Sequence, residues 1–334
     1  MNEQENKNQS KILLLGRNDA SKDTSHLAKV AQVFSGRKVF SERISLKEFK
    51  NFNIVYAYNS YFPANLTPIL ARCFSKNLVY APQAGGFHKL QSRRKNWLFR
   101  QILRLGSFEA LRCISMWEYE RYRGLGVSED RLFYCPLGID YDSFSEIRPS
   151  KQSRQVFSLA NARRFKDIET QIRAVKSLRE EDFEVHLNVI GGWADDEYRK
   201  EIENLIEGLD VKKHVTVHGF VDRERIFEII SNCEAFIHTS KFETQGLAIY
   251  EAAAAGFPIC VSDVPVHNQN FERFKHPQGD HEALAEDIKD VFELNSSEKE
   301  EISEEMRDLA KDFSKEKEME RLNELFDELN DNEK

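Results

Sequence analysis

The chain has 334 residues, enough for about two domains, with 40% hydrophobic and 31% charged residues, the balance of a globular protein. No run of about 18 apolar residues occurs, which excludes a membrane-spanning helix, and the first ten residues, MNEQENKNQS, read as a disordered lead-in without the apolar core of a secretory signal. The net charge of −8 is unevenly shared: residues 1–150 hold 23 Lys and Arg against 14 Asp and Glu, whereas residues 151–334 hold 25 against 42, so the front half is suited to an anionic partner.

Lys11–Leu15 is an apolar run ending at Gly16, the pattern of a buried strand entering a turn. Residues 24–34 show helical spacing, Lys38–Phe40 and Ile54–Ala57 read as strands, and a helix is expected over Ser60–Phe74 with Pro63 or Pro68 near its start. Leu78–Ala81 is a strand broken by Pro82 and Gly85-Gly86. A helix over about 92–105 follows, then strands at Ala110–Ser115 and Arg131–Cys135. The alternation stops at Pro136-Leu137-Gly138-Ile139-Asp140 and the polar stretch Ser145–Arg154. It restarts with strands at Gln155–Leu159, Val185–Ile190, Val215–Val217, Ala235–His238 and Ile259–Val261, and helices at Glu169–Leu178, Asp196–Gly208, Arg223–Ser231 and Leu247–Ala255. No further strand is apparent before Pro277-Gln278-Gly279-Asp280. From Asp280 the chain reads as charged helix, the last one, about 315–329, carrying a single apolar stripe at Met319, Leu322, Leu325, Phe326 and Leu329 that should dock on the body. Strands alternating with helices imply parallel sheets, so an α/β architecture of two doubly wound domains is expected: residues 11–145, residues 146–312, and a C-terminal helix over 313–334.

The segment Lys241–Pro258 carries the chemistry. A strand ends near Thr239, a loop brings Glu243, and Gly246 permits a tight turn into a helix whose free N–H groups suit a phosphate. Glu251 lies about a turn into that helix. Two carboxylates flanking an anion site make sense as ligands for hydroxyls. This stretch resembles the E-x7-E signature of family 4 glycosyltransferases, with Glu243 and Glu251 at the required spacing. Other motifs join it in order. Leu159–Asp167 resembles the family's Arg…Lys phosphate clamp, carried here by Arg163 and Lys166, with Arg164 as a competitor for Arg163. Val189–Gly192 and Val217–Val221 resemble the strand ends that hold the nucleotide base, and Pro136–Asp140 resembles the interdomain hinge.

The resemblance implies the GT-B fold, two Rossmann-like domains facing across a cleft, and a retaining transfer of sugar from a nucleoside diphosphate sugar to a hydroxyl acceptor such as a cell-envelope glycan, a polysaccharide or a lipid-linked saccharide. It implies catalytic roles for Glu243, Arg163, Lys166 and His88. It also implies donor contacts from Glu251, Gln245, Gly246, Leu247, Ala248, Gly191, Gly219, Phe220 and Gly16. His88 or Gln83 stands where the family places a His near the donor sugar. Two fixed cations on the leaving diphosphate remove the need for a metal, so neither metal nor cofactor is expected. Asp140-Tyr141-Asp142 has a metal-binding form but falls directly after the hinge. The loop after Gly16 lacks GxGxxG, which argues against a dinucleotide site.

Partners are then a nucleotide sugar and an acceptor, with no nucleic acid. The 89–105 helix has Arg93, Arg100 and Arg104 on one face and Leu98, Ile102 and Leu105 roughly opposite; it is either a domain helix or a peripheral contact with an anionic membrane. Five isolated cysteines without a CxxC pair read as buried free thiols and point to the cytoplasm. A GT-B-type epimerase and a non-catalytic GT-B-fold binding protein are the alternative functions.

Overall fold

The structure, a computed structural model, describes residues 11–15, 37–41, 52, 54–58, 67–74, 76–82, 93–267 and 270–331. The chain divides into two compact units: residues 1–137 together with 316–334, and residues 138–315. The first passage between them therefore lies within Pro136-Leu137-Gly138-Ile139-Asp140, and the chain returns to the first unit for its last helix.

In the first unit β1 (Lys11–Leu15), β2 (Arg37–Ser41), β3 (Ile54–Tyr58), β4 (Asn77–Ala81), β5 (Ala110–Cys113) and β6 (Leu132–Tyr134) form one sheet in the order β2-β1-β3-β4-β5-β6, every pairing parallel. Successive side chains point to opposite faces, so the apolar runs supply two cores. Leu13, Val55, Leu78 and Tyr80 pack with α1 (Thr67–Phe74), α2 (Arg93–Leu105) and α3 (Met116–Gly124) through Ala71, Phe99, Leu103 and Tyr122. Ile12, Leu14, Ile54, Tyr56 and Val79 face the other way, onto Leu322, Leu325, Phe326 and Leu329 of the last helix. That stripe repeats at i, i+3, i+4 and i+7, as one face of a helix must.

In the second unit β7 (Gln155–Leu159), β8 (His186–Ile190), β9 (Val215–Gly219), β10 (Ala235–His238), β11 (Ile259–Ser262) and β12 (Lys275–His276) are ordered β12-β11-β10-β7-β8-β9, again all parallel. The helices are α4 (Tyr141–Ser145), α5 (Ile168–Glu180), α6 (Asp196–Gly208), α7 (Arg223–Ile230), α8 (Leu247–Ala254), α9 (His281–Glu293) and α10 (Ser296–Lys311); α11 (Lys315–Asp331) is the helix that returns to the first unit. Ala252, Ala253, Ala254 and Ala255 are all buried, which lets α8 lie close to its neighbours.

Several expectations are corrected. A strand does precede Pro277: the two residues of β12 pair with Val261 and Ser262 of β11, a ladder too short to leave a periodic signal. Helix α3 was not expected, because its buried residues Glu118 and Tyr122 are polar or mixed and leave no apolar stripe; Ser115 caps it by accepting from the Glu118 N–H. Leu105 is 53% exposed rather than inward, since Phe99, Ile102 and Leu103 form the buried stripe of α2. Cys73 is exposed, while Cys113, Cys135, Cys233 and Cys260 are buried and free. The helix expected over 24–34 lies outside the described residues, as does the part of the Ser60–Phe74 helix before Thr67. Among the described residues no helix is long and apolar enough to cross a membrane.

Candidate functional site

Strand order reverses in the second unit between β7 and β10, which are adjacent in the sheet but send their neighbours to opposite sides. In an open parallel sheet the loops leaving the carboxyl ends of two such strands part and leave a crevice, the usual place for a ligand. The loop after β7 runs Ala160–Asp167 and the loop after β10 runs Thr239–Gly246, so the topology brings the loop of Arg163 and Lys166 beside that of Glu243.

The two loops are sewn together. Thr239 Oγ1 lies 2.9 Å from the carbonyls of both Lys166 and Asp167 and accepts from Gln171 Nε2 at 2.8 Å. The Lys241 N–H donates to the Phe165 carbonyl at 2.7 Å, and Lys241 Nζ pairs with Asp167 Oδ1 at 2.9 Å. On this support Lys166 Nζ donates to Glu243 Oε1. His238 Nε2 and Ser240 Oγ each reach the same oxygen at 2.9 Å. All three fall on Oε1, which leaves Oε2 without a partner among the described residues, ready to accept from a hydroxyl.

The electrostatics follow. Burial by itself raises the Glu243 pKa, but hydrogen bonding and charge from His238 and Lys166 outweigh it and hold the carboxyl well below the usual range. Burial pushes the His238 imidazole down, against the pull of Glu243. A neutral His238 that gives its proton to Glu243 carries it on Nε2. His267 packs edge-on to it at 5.6 Å between ring centroids and is lowered to about 3, by burial first and then by His238.

Gly246, with φ +81, is the residue before α8, and no side chain caps that helix start. A Cβ there would lie 2.9 Å from Ile249 Cδ1, the movable end of a side chain, so it is the positive φ that favours glycine here. Gln245 is buried, Leu247 is exposed, Ala248 is half-buried, and Glu251 is half-buried just beyond the first turn. At the neighbouring strand ends the Gly191 N–H donates to the Gly219 carbonyl at 2.9 Å, and Phe220 beside it is 87% exposed. Gly191 has φ +133, and a Cβ on it would sit 1.9 Å from the Ala160 carbonyl oxygen. Gly191→Ala is therefore expected to cost about 2–5 kcal/mol, from backbone strain and overpacking together. Gly208→Ala, at the end of α6 with nothing within 4 Å of the added Cβ, is expected to be neutral or stabilising. Urea unfolding of the two variants checks the contrast, and equal midpoints would refute it.

Arg163 is exposed and its guanidinium has no partner among the described residues, whereas Arg164 is tied to Glu201, approaches Glu197 and lies over the Tyr198 ring. Of the two competing arginines, Arg163 is the free one. Asp140 is engaged by Arg223 at 2.6 Å and by Lys315 at 3.3 Å. Among the described residues no three His, Cys, Asp or Glu side chains group to hold a metal ion. Gly16, Gln83 and His88 lie outside the described residues. Sequence reasoning missed His238, Ser240 and His267. A histidine closing the apolar run Ala235–Ile237 at the carboxyl end of a strand was the available signal for the first.

The family model of the group 1 glycosyl transferases matches residues 141–311. No curated protein matches the sequence. Among solved structures, Anabaena HepE in complex with UDP is similar at 14% identity and a TM-score of 0.76, covering 96% of this chain and 100% of that one. A glycosyltransferase from Rickettsia africae ESF-5 matches at 14% identity, TM-score 0.74, over 96% of this chain and 99% of that one. Sucrose-phosphate synthase from Thermosynechococcus elongatus matches at 16% identity, TM-score 0.75, with the same coverages of 96% and 99%. At such identities the likeness shows a common fold, the GT-B pair of Rossmann-like domains. With more than half of its residues matched by the family model, the chain belongs to the group 1 glycosyl transferases.

Proposed function

We propose that the protein is a family 4 enzyme that transfers a hexose, with retention of configuration, from a nucleoside diphosphate sugar to a hydroxyl acceptor. The observation that carries this reading is the Lys166–Glu243 pair at the strand-order reversal, beside the uncapped start of α8. The helix start and the N–H groups of Gly246 to Ala248 receive the diphosphate. Arg163 and Lys166 neutralise its charge as it departs, in place of a metal; an ammonium has three donors, so Lys166 can hold a phosphate oxygen while keeping Glu243. Glu243 Oε2 accepts from a sugar hydroxyl near the anomeric carbon, and Glu251 from the ribose. Gly191, Gly219 and Phe220 border the base, and the family resemblance adds Gly16 as a donor contact and His88 as a catalytic residue.

HepE has also been solved with UDP-glucose, which makes that compound the first donor to try. The acceptor is a saccharide, either part of an envelope glycan or carried on a lipid, and α2 makes a peripheral contact with an anionic membrane. Buried free thiols and a nucleotide-sugar substrate fit the cytoplasm.

Thermal unfolding with UDP and a series of nucleoside diphosphate sugars tests donor binding: a ligand at about 100 times its Kd should add about 2.7 kcal/mol. NMR of the transferred or hydrolysed sugar then reads the anomeric configuration. No stabilisation by any nucleoside diphosphate would overturn donor binding, and an inverted product would overturn retention.

A further inference from the structure

The first unit carries a pocket that the transfer reaction does not use. It has a volume of about 540 Å3 and opens between α2 and the segment Leu125–Arg131. Phe108, just before β5, and Arg131, just before β6, both line it. It therefore sits at the amino ends of these strands, the opposite end of the sheet from the carboxyl ends where a doubly wound domain binds its substrate.

Its lining is one-sided in charge. Arg100, Arg104 and Arg131 contribute and, among the described residues, no acidic residue does. Arg100 and Arg104 are exposed and have no hydrogen-bond or ion-pair partner among the described residues. Arg131 gives Nε and Nη2 to the Phe108 carbonyl and lies over the Phe108 ring, which fixes its guanidinium and leaves Nη1 as an uncommitted donor. Glu109, Glu129 and Asp130, beside lining residues in the chain, are not part of the lining, and Glu129 is paired with Arg123 at 3.2 Å. Arg72 adds a fourth cation by donating to the Leu105 carbonyl at 2.9 Å, at the end of α2.

The same helix face is apolar where it should be wet. While Phe99, Ile102 and Leu103 face the core, Trp97 and Leu105 are 62% and 53% exposed. They lie eight residues apart, with Arg100 and Arg104 between them, so α2 has an outer stripe in which a Trp and a Leu flank two unpaired cations. A soluble phosphate would account for the arginines alone. An anionic lipid accounts for both: a phosphoryl group for the guanidinium donors and an interface in which an indole and a leucine come out of water.

We propose that this pocket binds the phosphoryl head group of an anionic lipid, with Arg100, Arg104 and Arg131 as donors and Trp97 and Leu105 entering the interface beside it. The proposal rests on the membrane contact read above for α2 and adds a specific seat for the head group, away from the donor site. Ser128, exposed on the pocket wall and not on α2, separates the two ideas.

The test is sedimentation of the full chain with vesicles of phosphatidylcholine alone or mixed with phosphatidylglycerol, at about 0.15 M salt so that unspecific attraction is screened. Binding to the phosphatidylglycerol vesicles is expected, with Arg104→Gln weakening it about five-fold, Ser128→Glu at least as much, and Ser128→Ala not at all. Turnover of UDP-glucose without vesicles should be the same in all of them. Loss in Arg104→Gln with full binding in Ser128→Glu would overturn the head-group pocket while keeping a helix lying flat on the membrane. No vesicle binding by the unaltered chain, or equal binding to phosphatidylcholine alone, would overturn the membrane contact itself. Saturable binding of inorganic phosphate, lost in Arg104→Gln, without any vesicle binding would overturn the lipid as its source.

Discussion

Glu243→Ala is expected to lower kcat/KM for sugar transfer by about 100- to 1,000-fold, the loss typical of removing one fixed group that stabilises developing charge. The geometry makes the effect larger than a single lost contact. Glu243 Oε1 holds Lys166 Nζ, His238 Nε2 and Ser240 Oγ in place. Without the carboxylate the ammonium is free to swing away from the position proposed above for meeting the diphosphate. Lys166→Ala should therefore cost a similar factor, and the double variant little more than either single one, since groups that act as a unit are not additive. Steady-state kinetics of the three variants measures this, and a double variant whose losses multiply would show that the two residues act separately. Glu243→Gln keeps shape and an acceptor oxygen but not charge, so it should retain more donor binding than activity.

The same residue sets an acid limit. The folded pKa of Glu243 is depressed from the ordinary 4.5. Its contribution to stability is thus fully present above about pH 4.5 and is lost as pH falls toward the folded value. The side chains of Glu243 and Lys166 are 10% and 17% exposed, so the pair is screened less than a surface pair but more than a fully buried one. Glu243→Gln should flatten the fall of stability below pH 4.5 relative to the unaltered chain.

How much of this was legible in the sequence depends on distance along the chain. The strands and helices from Gln155 to Ser262 follow from local periodicity, and Glu243, Gly246 and Glu251 from a compact motif. The partners of Glu243 do not. Lys166 is 77 residues away, and only the β7–β10 adjacency explains why the two meet. Local pattern cannot choose between Arg163 and Arg164 either, because the two are neighbours on one short turn. What separates them is long-range: Glu201 on α6 takes Arg164. Helix α3 and strand β12 escaped for the converse reason: each is held by its surroundings and has too little pattern of its own.

Another long-range link produces the second large effect. Arg112 on β5 and Glu318 on α11 are 206 residues apart and pair at 2.8 Å with side chains 0% and 1% exposed. Arg112 also donates to the Cys135 and Pro136 carbonyls at 2.7 and 2.9 Å and to the Tyr56 hydroxyl at 3.0 Å. The guanidinium is thus built into the end of the first unit's sheet and cannot move to water when its partner goes. Glu318→Ala should cost about 3–5 kcal/mol, most of it the penalty of an uncompensated buried charge. Arg112→Met combined with Glu318→Leu should recover much of that, because an apolar pair of similar volume carries no desolvation cost. Urea unfolding followed by hydrogen exchange over α11 reads both results, and a loss in Glu318→Ala below about 1 kcal/mol would mean that the apolar stripe Leu322, Leu325, Phe326 and Leu329 holds the helix without the ion pair. The loops Ala160–Asp167 and Thr239–Gly246, proposed above to hold the diphosphate, belong to the second unit, so Glu318→Ala should unfold the first unit more easily while leaving UDP affinity, measured below its unfolding transition, unchanged.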